Sequence, residues 1–500
     1  MYYTLACFCA VLFCAWALSW LRTRRRRARA CFASLPGYPT LPIVGNALRL
    51  ATSTESIYRM ILDLSEKSDK EQKPFIFWFG PIPAVVVSDP DSVKQVTNAF
   101  IEKPFFYKIG RIWIGEGLVT ASGSVWKKNI KKLAGTFVGP IVDGYQGVFN
   151  AQAQKMVDKL KGEVGNAPFD IMEKYLAFAT LESICQTALG FPSSDQLVTT
   201  EYYQAFSRTL ELLVRRGVNL LMHPDWVYQM TPMYKELVKC VEILHNVSNT
   251  VIAKKRSEFI AIKQNGISKE HHIDEGQTKF RSFLDIILEL SEADPSMTDE
   301  QIRAEVDTII VGGQETTATT LTYTILMIGR YPRVQEKMYA ELQSIFGDSK
   351  RPVEKKDLAL MTYCEAAISE SLRLHPPLPM VAREATQDLQ LKHCTIPKGA
   401  SCIVNAIGAG RSRHNWGPDA LEFRPERWLN GAAPAAAFLP FSYGKRSCIG
   451  KRYAMTLLKT LLAYSLRELE FVAEAEELRF KVDIALRPAS GHFVQVRLRK

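Results

Sequence analysis

Hydrophobic residues recur at helical spacing over most of the chain from about Thr54 onward. Apolar positions three and four residues apart form one face of an α-helix and so predict long helices. The clearest such segments are Ala151–Lys161, Glu201–Arg215, Met233–Ile262, Phe283–Ser291, Asp299–Met327 and Pro332–Phe346. Runs with the two-residue alternation of β-strands are fewer, as in Phe75–Val87, Ala400–Asn405 and Phe493–Leu498. The pattern predicts a mainly α-helical protein with small β-sheets, an α+β fold class.

The first 21 residues are almost wholly apolar. About 20 helical residues at ~1.5 Å each are enough to cross the ~30 Å hydrocarbon core of a bilayer. No Lys or Arg precedes this run, and six arginines follow it between Arg22 and Arg29. A cleavable signal peptide carries its positive charge before the apolar run, so this order favours an uncleaved signal anchor over a secretory signal. The positive-inside rule then places the rest of the chain in the cytoplasm.

A proline-rich segment follows the arginines. Pro36, Pro39 and Pro42 each remove a backbone donor and favour an extended conformation in the preceding residue, so the segment cannot be helical. No later change in composition marks another linker. The predicted organisation is a transmembrane signal anchor over residues 1–21, a basic and proline-rich hinge over residues 22–45, and one domain over residues 46–500.

Composition limits the classes of function. With 47% hydrophobic and 23% charged residues, the chain is neither disordered nor collagen-like. The six arginines after the anchor contribute +6 of the net charge of +11. Positive charge is thus largely local, which favours a membrane surface and argues against nucleic acid as a partner. The ten cysteines lack paired spacing and indicate reduced thiols, and the eight histidines lack the spacing of metal ligands.

One cysteine, Cys448, has a distinctive sequence context. A single cysteine in an intracellular protein is most often an inert buried residue. Here glycines on both sides permit tight turns of the backbone, and a predicted helix that begins at Lys451 directs its N–H groups toward the sulfur. Both features stabilise a thiolate, and such a thiolate is suited to be the axial ligand of haem iron.

The residues around Cys448 match a known family signature. The run Phe441–Gly450 fits Phe-x-x-Gly-x-Arg-x-Cys-x-Gly, the haem-binding signature of the cytochrome P450 superfamily. Five fixed residue types at about 5–7% usage each make a chance match at one place rarer than about one in a million. Glu370–Arg373 matches the family's Glu-x-x-Arg helix, and Phe423–Trp428 resembles its Phe-x-Pro-Glu-Arg-Phe segment with Trp in the last place. The chain therefore resembles this superfamily over its whole length, which implies the P450 fold with an N-terminal transmembrane anchor.

The resemblance assigns roles to these residues. It implies that Cys448 is the iron ligand and that other residues of the signature contact the haem, namely Phe441, Arg446 and Gly450. It also implies a buried ion triad of Glu370, Arg373 and Arg427, in which loss of one partner would strand a charge at a cost of about 3–5 kcal/mol.

Two adjacent glycines, Gly312 and Gly313, lie inside the predicted helix Asp299–Met327. Each costs about 1 kcal/mol relative to Ala in a helix interior. A tolerated kink is one explanation, and the approach of a ligand to the backbone is the other. The resemblance favours the second, since it places dioxygen in an opening of this helix beside Gly313. It implies that Thr316 donates a hydrogen bond to the dioxygen and that Glu315 relays protons.

Haem propionates need cationic partners. Arg383 and Arg446 match the family's propionate ligands. Trp126 matches the first residue of the Trp-x-x-x-Arg element, but Ile130 stands in the place of its arginine.

Lysines near Ile130 admit two interpretations. Lys127 or Lys131 is a candidate substitute for the missing arginine. The same two lysines, with Lys445, Lys451 and Arg452, form either the docking face for an acidic flavoprotein or an ordinary solvated surface.

The resemblance implies a haem-thiolate monooxygenase, and the runs Glu305–Thr308 and Gln314–Thr317 are most like those of insect members of the microsomal family-4 clade. The implied location is the endoplasmic reticulum membrane, crossed once, with the catalytic domain in the cytoplasm. Electrons would come from NADPH-cytochrome P450 reductase, with cytochrome b5 as a further candidate partner. The implied substrate is a lipophilic small molecule: a fatty-acid-like lipid, an odorant or a xenobiotic.

Residues expected to line the substrate pocket are apolar: Ile112–Ile114, Leu118, Ile309, Val311, Leu378, Met380, Val381 and Leu486. The segment Arg216–Met230 is either a second membrane contact or part of the core. Two other functions are alternatives on the same fold: a P450-fold isomerase or dehydratase, and a catalytically silent haem-binding ligand sink. The intact pair Glu315 and Thr316 argues against the first, and the intact Cys448 argues against the second.

Many family-4 relatives carry a glutamate that forms an ester with a haem methyl group. Alignment of the oxygen-binding helix places Gly312 at that position, so no carboxylate is available there. The expected cofactor is therefore haem b, iron protoporphyrin IX, bound non-covalently.

Overall fold

A computed structural model describes residues 26, 28–41, 44–50, 52–191, 198–264, 280–294, 296–429, 431, 435–474 and 478–499. The predicted anchor over residues 1–21 lies outside this range. Within the described residues, no helix is both long enough and apolar enough to span a bilayer.

The described residues are mainly helical, as predicted. In chain order the α-helices are α1 (Thr54–Glu71), α2 (Pro90–Ala99), α3 (Arg111–Ile114), α4 (Gly123–Leu133), α5 (Gly139–Asp143), α6 (Gln146–Lys161), α7 (Ala177–Leu189), α8 (Thr200–Val218), α9 (Asp225–Gln229), α10 (Pro232–Gln264), α11 (Phe283–Ala293), α12 (Asp299–Arg330), α13 (Pro332–Phe346), α14 (Lys355–Leu360), α15 (Thr362–Leu374), α16 (Ala406–Arg411), α17 (Arg413–Trp416) and α18 (Lys451–Glu468). Each helix predicted from periodicity lies within one of these, because apolar spacing reports the buried face directly.

The strands are short. They are β1 (Phe75–Phe79), β2 (Ile82–Val87), β3 (Phe169–Asp170), β4 (Met380–Glu384), β5 (Leu389–Gln390), β6 (Thr395–Ile396), β7 (Ser401–Asn405), β8 (Leu469–Val472), β9 (Phe480–Val482), β10 (Leu486–Pro488) and β11 (Phe493–Leu498). The run Phe75–Val87 is thus two antiparallel strands joined by a turn at Gly80, which has a positive φ of 61°.

The chain divides into two compact units, each described by itself. The first contains the described residues up to Pro104, Met380–Ala420 and the segment that ends at Arg446. Its sheet has the strand order β1-β2-β7-β4, in which β2 and β7 are parallel and the other pairs antiparallel. The register of β4 against β7 sets Arg383 opposite Cys402. This pairing holds the Arg383 backbone within the sheet.

The predicted hinge packs against this sheet. Gly37 forms a bridge to Ile76, and Gly45 forms one to Phe79. Phe32 and Leu35, which precede these bridges, are buried in the core of the first unit. Residues 28–31 of the hinge are helical, whereas the described proline-containing residues 36–41 are not, as their prolines require, and backbone pairing and apolar burial hold the hinge in place.

The second unit contains Phe105–Pro379, the described residues between Leu421 and Gly431, and those from Ser447 onward. Helix α12 begins after Thr298, whose hydroxyl accepts a hydrogen bond from the Gln301 N–H at 3.2 Å. Most side chains of α12 are buried, and α7 packs along it. A Cβ at Gly313 would lie 2.7 Å from Cδ1 of Ile184 on α7, so glycine at this position lets the two helices approach closely.

The turn after α15 holds β10 in place. The Leu486 N–H donates to the Pro377 carbonyl at 2.8 Å, and the Tyr323 hydroxyl donates to the Leu486 carbonyl at 3.0 Å. The His375 ring stacks against both Tyr323 and Phe480, with centroid distances of 5.0 and 4.9 Å, and the centroids of those two rings lie 5.7 Å apart. These contacts fix the backbone of β10 relative to α12.

Candidate active site

Cys448 lies just before α18, as the sequence predicts. Burial raises the pKa of the Cys448 thiol, while the Gly450 backbone N–H, which donates to the sulfur, and the charge of Lys451 lower it. The residue is nevertheless accessible to solvent. The sulfur thus has a backbone N–H donor and a nearby positive charge, two features that favour a thiolate ligand.

Helix α12 has one open stretch in its buried length. Gly312 is exposed, and Val311, Gly313 and Thr316 are partly exposed. A Cβ at Gly312 would meet no atom within 4 Å, so free space borders the helix at this turn. The Thr316 hydroxyl donates to the Gly312 carbonyl at 2.7 Å. Of the two glycines, Gly312 faces the opening, and Gly313 serves the packing of α7.

Glu315 is adjacent to Thr316, yet its carboxylate is engaged elsewhere. Arg487 on β10 donates to Glu315 Oε1 from Nε at 3.1 Å and from Nη2 at 2.8 Å. Arg487 Nη1 also lies 3.7 Å from Glu173 Oε1. Burial lowers the pKa of Arg487, but the charge and hydrogen bond of Glu315 outweigh that effect and raise it overall. In this structure Glu315 is thus the partner in a buried ion pair that the sequence analysis did not predict.

The structure brings the predicted triad together. Arg373 donates to both oxygens of Glu370, at 2.8 Å from Nε and 2.7 Å from Nη2, and both side chains are fully buried. Arg427 Nε lies 3.3 Å from Glu370 Oε1. The Trp428 indole N–H also donates to Glu370 Oε2 at 2.9 Å. Trp428 stands where the family motif has Phe. This replacement was the one sequence signal for the hydrogen bond between Trp428 and Glu370.

Three cationic side chains meet in the first unit. Arg383 and Arg446 are buried. Burial and the positive charges of Arg383 and Arg446 hold the pKa of Lys103 well below its usual range. Such a cluster of like charges favours binding of an anionic group, and a haem carries two carboxylates. The predicted propionate ligands therefore fit the cofactor, and Lys103 joins them without any signal in the sequence.

The remaining predicted cofactor residues have ordinary local surroundings. Trp126 is buried on α4, and Ile130 on the same helix is partly buried. Phe441 is partly buried in the first unit. Gly444, inside the signature, has a φ of +75°, and a Cβ there would lie 2.8 Å from the Thr97 carbonyl oxygen, so no other residue fits.

Basic residues on the second unit are exposed, among them Lys127, Lys131, Lys451 and Arg452. Arg452 donates to Asp143 at 3.0 Å, so this surface also carries a carboxylate. Lys445, in the first unit, donates to the Asn98 carbonyl at 2.9 Å.

The segment Arg216–Met230 combines two environments. Arg216 is buried, donates to the Met222 carbonyl at 3.1 Å and lies over the ring of Tyr228, which is itself buried. Leu221, Trp226 and Met230 are exposed, at 80%, 70% and 76%. The segment is anchored by its polar and buried residues and presents apolar side chains outward.

Comparison with known proteins gives a consistent picture. The family model described as Cytochrome P450 matches residues 35–494. The chain is 34% identical to Cytochrome P450 4c21 of Blattella germanica, over 93% of each chain. It is 29% identical to Cytochrome P450 4c3 of Drosophila melanogaster, over 95% of this chain and 91% of the relative. It is 31% identical to human Cytochrome P450 4V2, over 92% of this chain and 88% of the relative.

Proposed function

Because the chain belongs to the cytochrome P450 family, with family-4 relatives in insects and mammals, and is therefore a haem monooxygenase, we propose that it oxidises a fatty-acid-like lipid or another lipophilic small molecule. The observation that carries the site assignment is the exposed residue Cys448, whose sulfur accepts the Gly450 N–H just before α18. Bound haem supplies the iron at which dioxygen is activated for transfer of one oxygen atom.

Residues of each unit are assigned to the cofactor. The Cys448 thiolate would bind the metal, and the Gly450 N–H and Lys451 would offset its negative charge. Arg383, Arg446 and Lys103 would bind the propionates, and Trp126 and Phe441 would be further contacts. Gly313 contributes by letting α12 pack on α7, and Gly312 leaves space for the ring and substrate.

Thr316 and Glu315 serve the oxygen side. The Thr316 hydroxyl donates to the Gly312 carbonyl in the structure and would exchange that bond for one to dioxygen. Glu315 passes protons only when its pairing with Arg487 is exchanged, because a carboxylate held by a guanidinium is a poor proton donor. The Glu370 triad supports the chain below the signature by keeping three buried charges mutually satisfied.

The cofactor is non-covalent haem b in this proposal. Gly312 offers no carboxylate at the open turn of α12, and the nearby Glu315 is bound to Arg487.

We assign the anchor over residues 1–21 to the endoplasmic reticulum membrane, with the catalytic part in the cytoplasm. The exposed side chains of Leu221, Trp226 and Met230 add a second, shallow contact with the bilayer. The basic surface with Lys127, Lys131 and Lys451 receives NADPH-cytochrome P450 reductase, and cytochrome b5 competes for the same charge.

The test is oxidation of a panel of fatty acids and terpenoids by the full chain with reductase, NADPH and ¹⁸O₂. We expect one ¹⁸O atom in the product and loss of all product in Cys448→Ala, while Cys402→Ala, a buried thiol of β7, stays active. Turnover of an oxidised lipid without NADPH or ¹⁸O incorporation would instead identify an isomerase or dehydratase. Tight ligand binding without product from any panel member would identify a ligand sink.

A further inference from the structure

Glu305 on α12 carries a fully buried carboxyl group that the proposed reaction does not use. Three N–H donors from three parts of the chain converge on it. The Leu118 backbone N–H donates to Oε2 at 2.9 Å, the Asn129 amide of α4 donates to Oε1 at 2.8 Å, and the Gln301 amide donates to Oε1 at 3.0 Å. The two carboxyl oxygens of Glu305 together accept all three of these bonds.

The segment that Glu305 contacts lies flat on α12. A Cβ at Gly115, which has a φ of +48°, would lie 2.9 Å from the Ala304 Cβ. A Cβ at Gly117 would lie 2.0 Å from the Thr308 hydroxyl oxygen. Neither glycine has a side chain that could interlock with α12. The backbone of Gly115–Ala121 therefore depends on hydrogen bonds to stay in place on this helix.

The segment is also tied to itself and to the residues before it. The Thr120 hydroxyl donates to the Gly115 carbonyl at 2.7 Å, and Arg111 pairs with Glu116 at 2.7 Å. Arg111 Nη2 donates to the Thr120 carbonyl at 3.1 Å. These contacts connect the residues of Gly115–Ala121 on both sides of Leu118.

Helix geometry places this contact beside the open turn of α12. Gly312 follows Glu305 by seven residues, which is about two turns, about 10 Å of rise and nearly the same helix face. The pinned segment thus covers the face of α12 that opens at Gly312. Leu118, next to the bonded N–H, is partly exposed and is one of the residues expected to line the substrate pocket.

We propose that Glu305 is a positioning residue that pins Gly115–Ala121 to α12 and thereby sets the depth of the substrate chamber for long ligands. This inference rests on the proposed function, because it treats the space beside Gly312 as the substrate site. Glu305 determines specificity through the segment it holds, without touching the substrate.

The first measurement is hydrogen–deuterium exchange of the holoprotein. Glu305→Gln keeps the shape but replaces one acceptor oxygen with an NH₂ donor that faces other N–H donors. We expect exchange in the peptide covering Gly115–Ala121 to rise about tenfold. Glu300→Gln, an exposed acid on the first turn of the same helix, should leave this peptide unchanged.

The second measurement compares a short and a long azole by spectral titration, with imidazole and 1-dodecylimidazole as probes. In Glu305→Gln we expect the Kd of imidazole to stay within about twofold and that of 1-dodecylimidazole to change at least about fivefold. Asn129→Ala removes one donor while keeping the acid, and should shift both readouts in the same directions by about a third as much.

Unchanged exchange in Gly115–Ala121 in both variants would overturn the proposal, as would equal changes in Kd for the two azoles, since equal changes indicate general damage to the haem site. If the parent protein gave no azole spectrum, the proposed function would fail, while the exchange experiment would still decide whether Glu305 holds the segment.

Discussion

At the scale of single residues, the proposed haem site gathers several positive charges. Lys103 is the clearest case, because burial and two arginines lower its pKa and an anionic cofactor would reverse that effect. The family's arginine is replaced by Ile130, so the compensating cation must come from elsewhere.

Lys103→Met should therefore weaken haem retention. We expect haem transfer to excess apomyoglobin to become about five- to tenfold faster, as for loss of one charge-assisted hydrogen bond. Lys127→Met and Lys131→Met, which remove exposed lysines of α4, are the matched controls and should leave the rate unchanged. If haem transfer became faster in a control and not in Lys103→Met, a lysine of α4 would be the cation that replaces the missing arginine.

Thr316→Ala should bind haem and substrate almost normally yet use electrons wastefully, since its hydroxyl acts only after oxygen has entered. We expect product formed per NADPH consumed to fall at least about fivefold, with the balance released as hydrogen peroxide. Thr320→Ala is the control, because its hydroxyl makes the same kind of bond to a carbonyl one turn back, at 2.7 Å to Thr316. If both variants formed the same amount of product per NADPH consumed, Thr316 would have no special role in oxygen activation.

At the scale of elements, α12 separates two tasks that the sequence places side by side. Gly312 borders open space and Gly313 contacts Ile184 on α7. Replacing the two glycines by alanine should therefore change the stability of the protein in opposite directions.

Gly312→Ala should stabilise the protein by about 0.5–1 kcal/mol through helix propensity, while Gly313→Ala should destabilise it by about 1–3 kcal/mol through overpacking against α7. Urea unfolding of the two variants beside the parent measures both values. A similar sign for the two substitutions would contradict this division of roles.

A second feature of α12 is a pair of buried acids. Burial raises the pKa of Glu305 and that of Asp307 to about 7 each, although hydrogen bonds to both carboxyls act in the opposite direction. The Asp307 carboxyl accepts a hydrogen bond from the Ser248 hydroxyl of α10, and His245 Nε2 lies 3.6 Å from Asp307 Oδ2. The charge of Arg303, which is also on α12, lowers the pKa of Asp307.

The folded state holds these protons more tightly than the unfolded chain, whose carboxyls titrate near pH 4. Their contribution to stability is complete below about pH 4 and is lost as the pH rises through about 7. The urea midpoint of the parent should fall between pH 5 and pH 8. We expect this fall to be measurably smaller in Asp307→Asn and unchanged in Asp299→Asn, which replaces an exposed acid. If the urea midpoint fell with pH equally steeply in Asp307→Asn and in the parent, Asp307 of the folded parent would already be ionised at pH 5.

At the scale of the whole molecule, the proposed orientation in the membrane rests on the order of charge and hydropathy along the chain. By the positive-inside rule, the arginines directly after residue 21 would hold that side in the cytoplasm. Asn246 begins a formal glycosylation sequon on the exposed surface of α10, so its modification reports the compartment of the catalytic part.

Protease added to sealed microsomes should digest the catalytic part, and Asn246 should carry no glycan. Replacement of the arginines at 22, 24 and 25 by Asp should allow a fraction of chains to invert, and only those chains should gain an endoglycosidase-sensitive glycan. Glycosylation of the parent at Asn246 would reverse the orientation.

The sequence by itself determined the features that are local along the chain. The signature Phe441–Gly450 and the limits of α12 were predictable, since helical periodicity and glycine placement act over a few residues. Glu370 and Arg373 were predictable as a pair because residues three apart on a helix are neighbours.

Tertiary structure alone decided contacts between residues far apart in the chain. Examples are the meeting of Lys103 with Arg383 and Arg446, the pairing of Glu315 with Arg487, 172 residues apart, and the contact of Glu305 with Leu118, 187 residues apart. No periodicity encodes such pairs, because they depend on the path of the whole chain and on which buried charges the finished fold leaves to be satisfied.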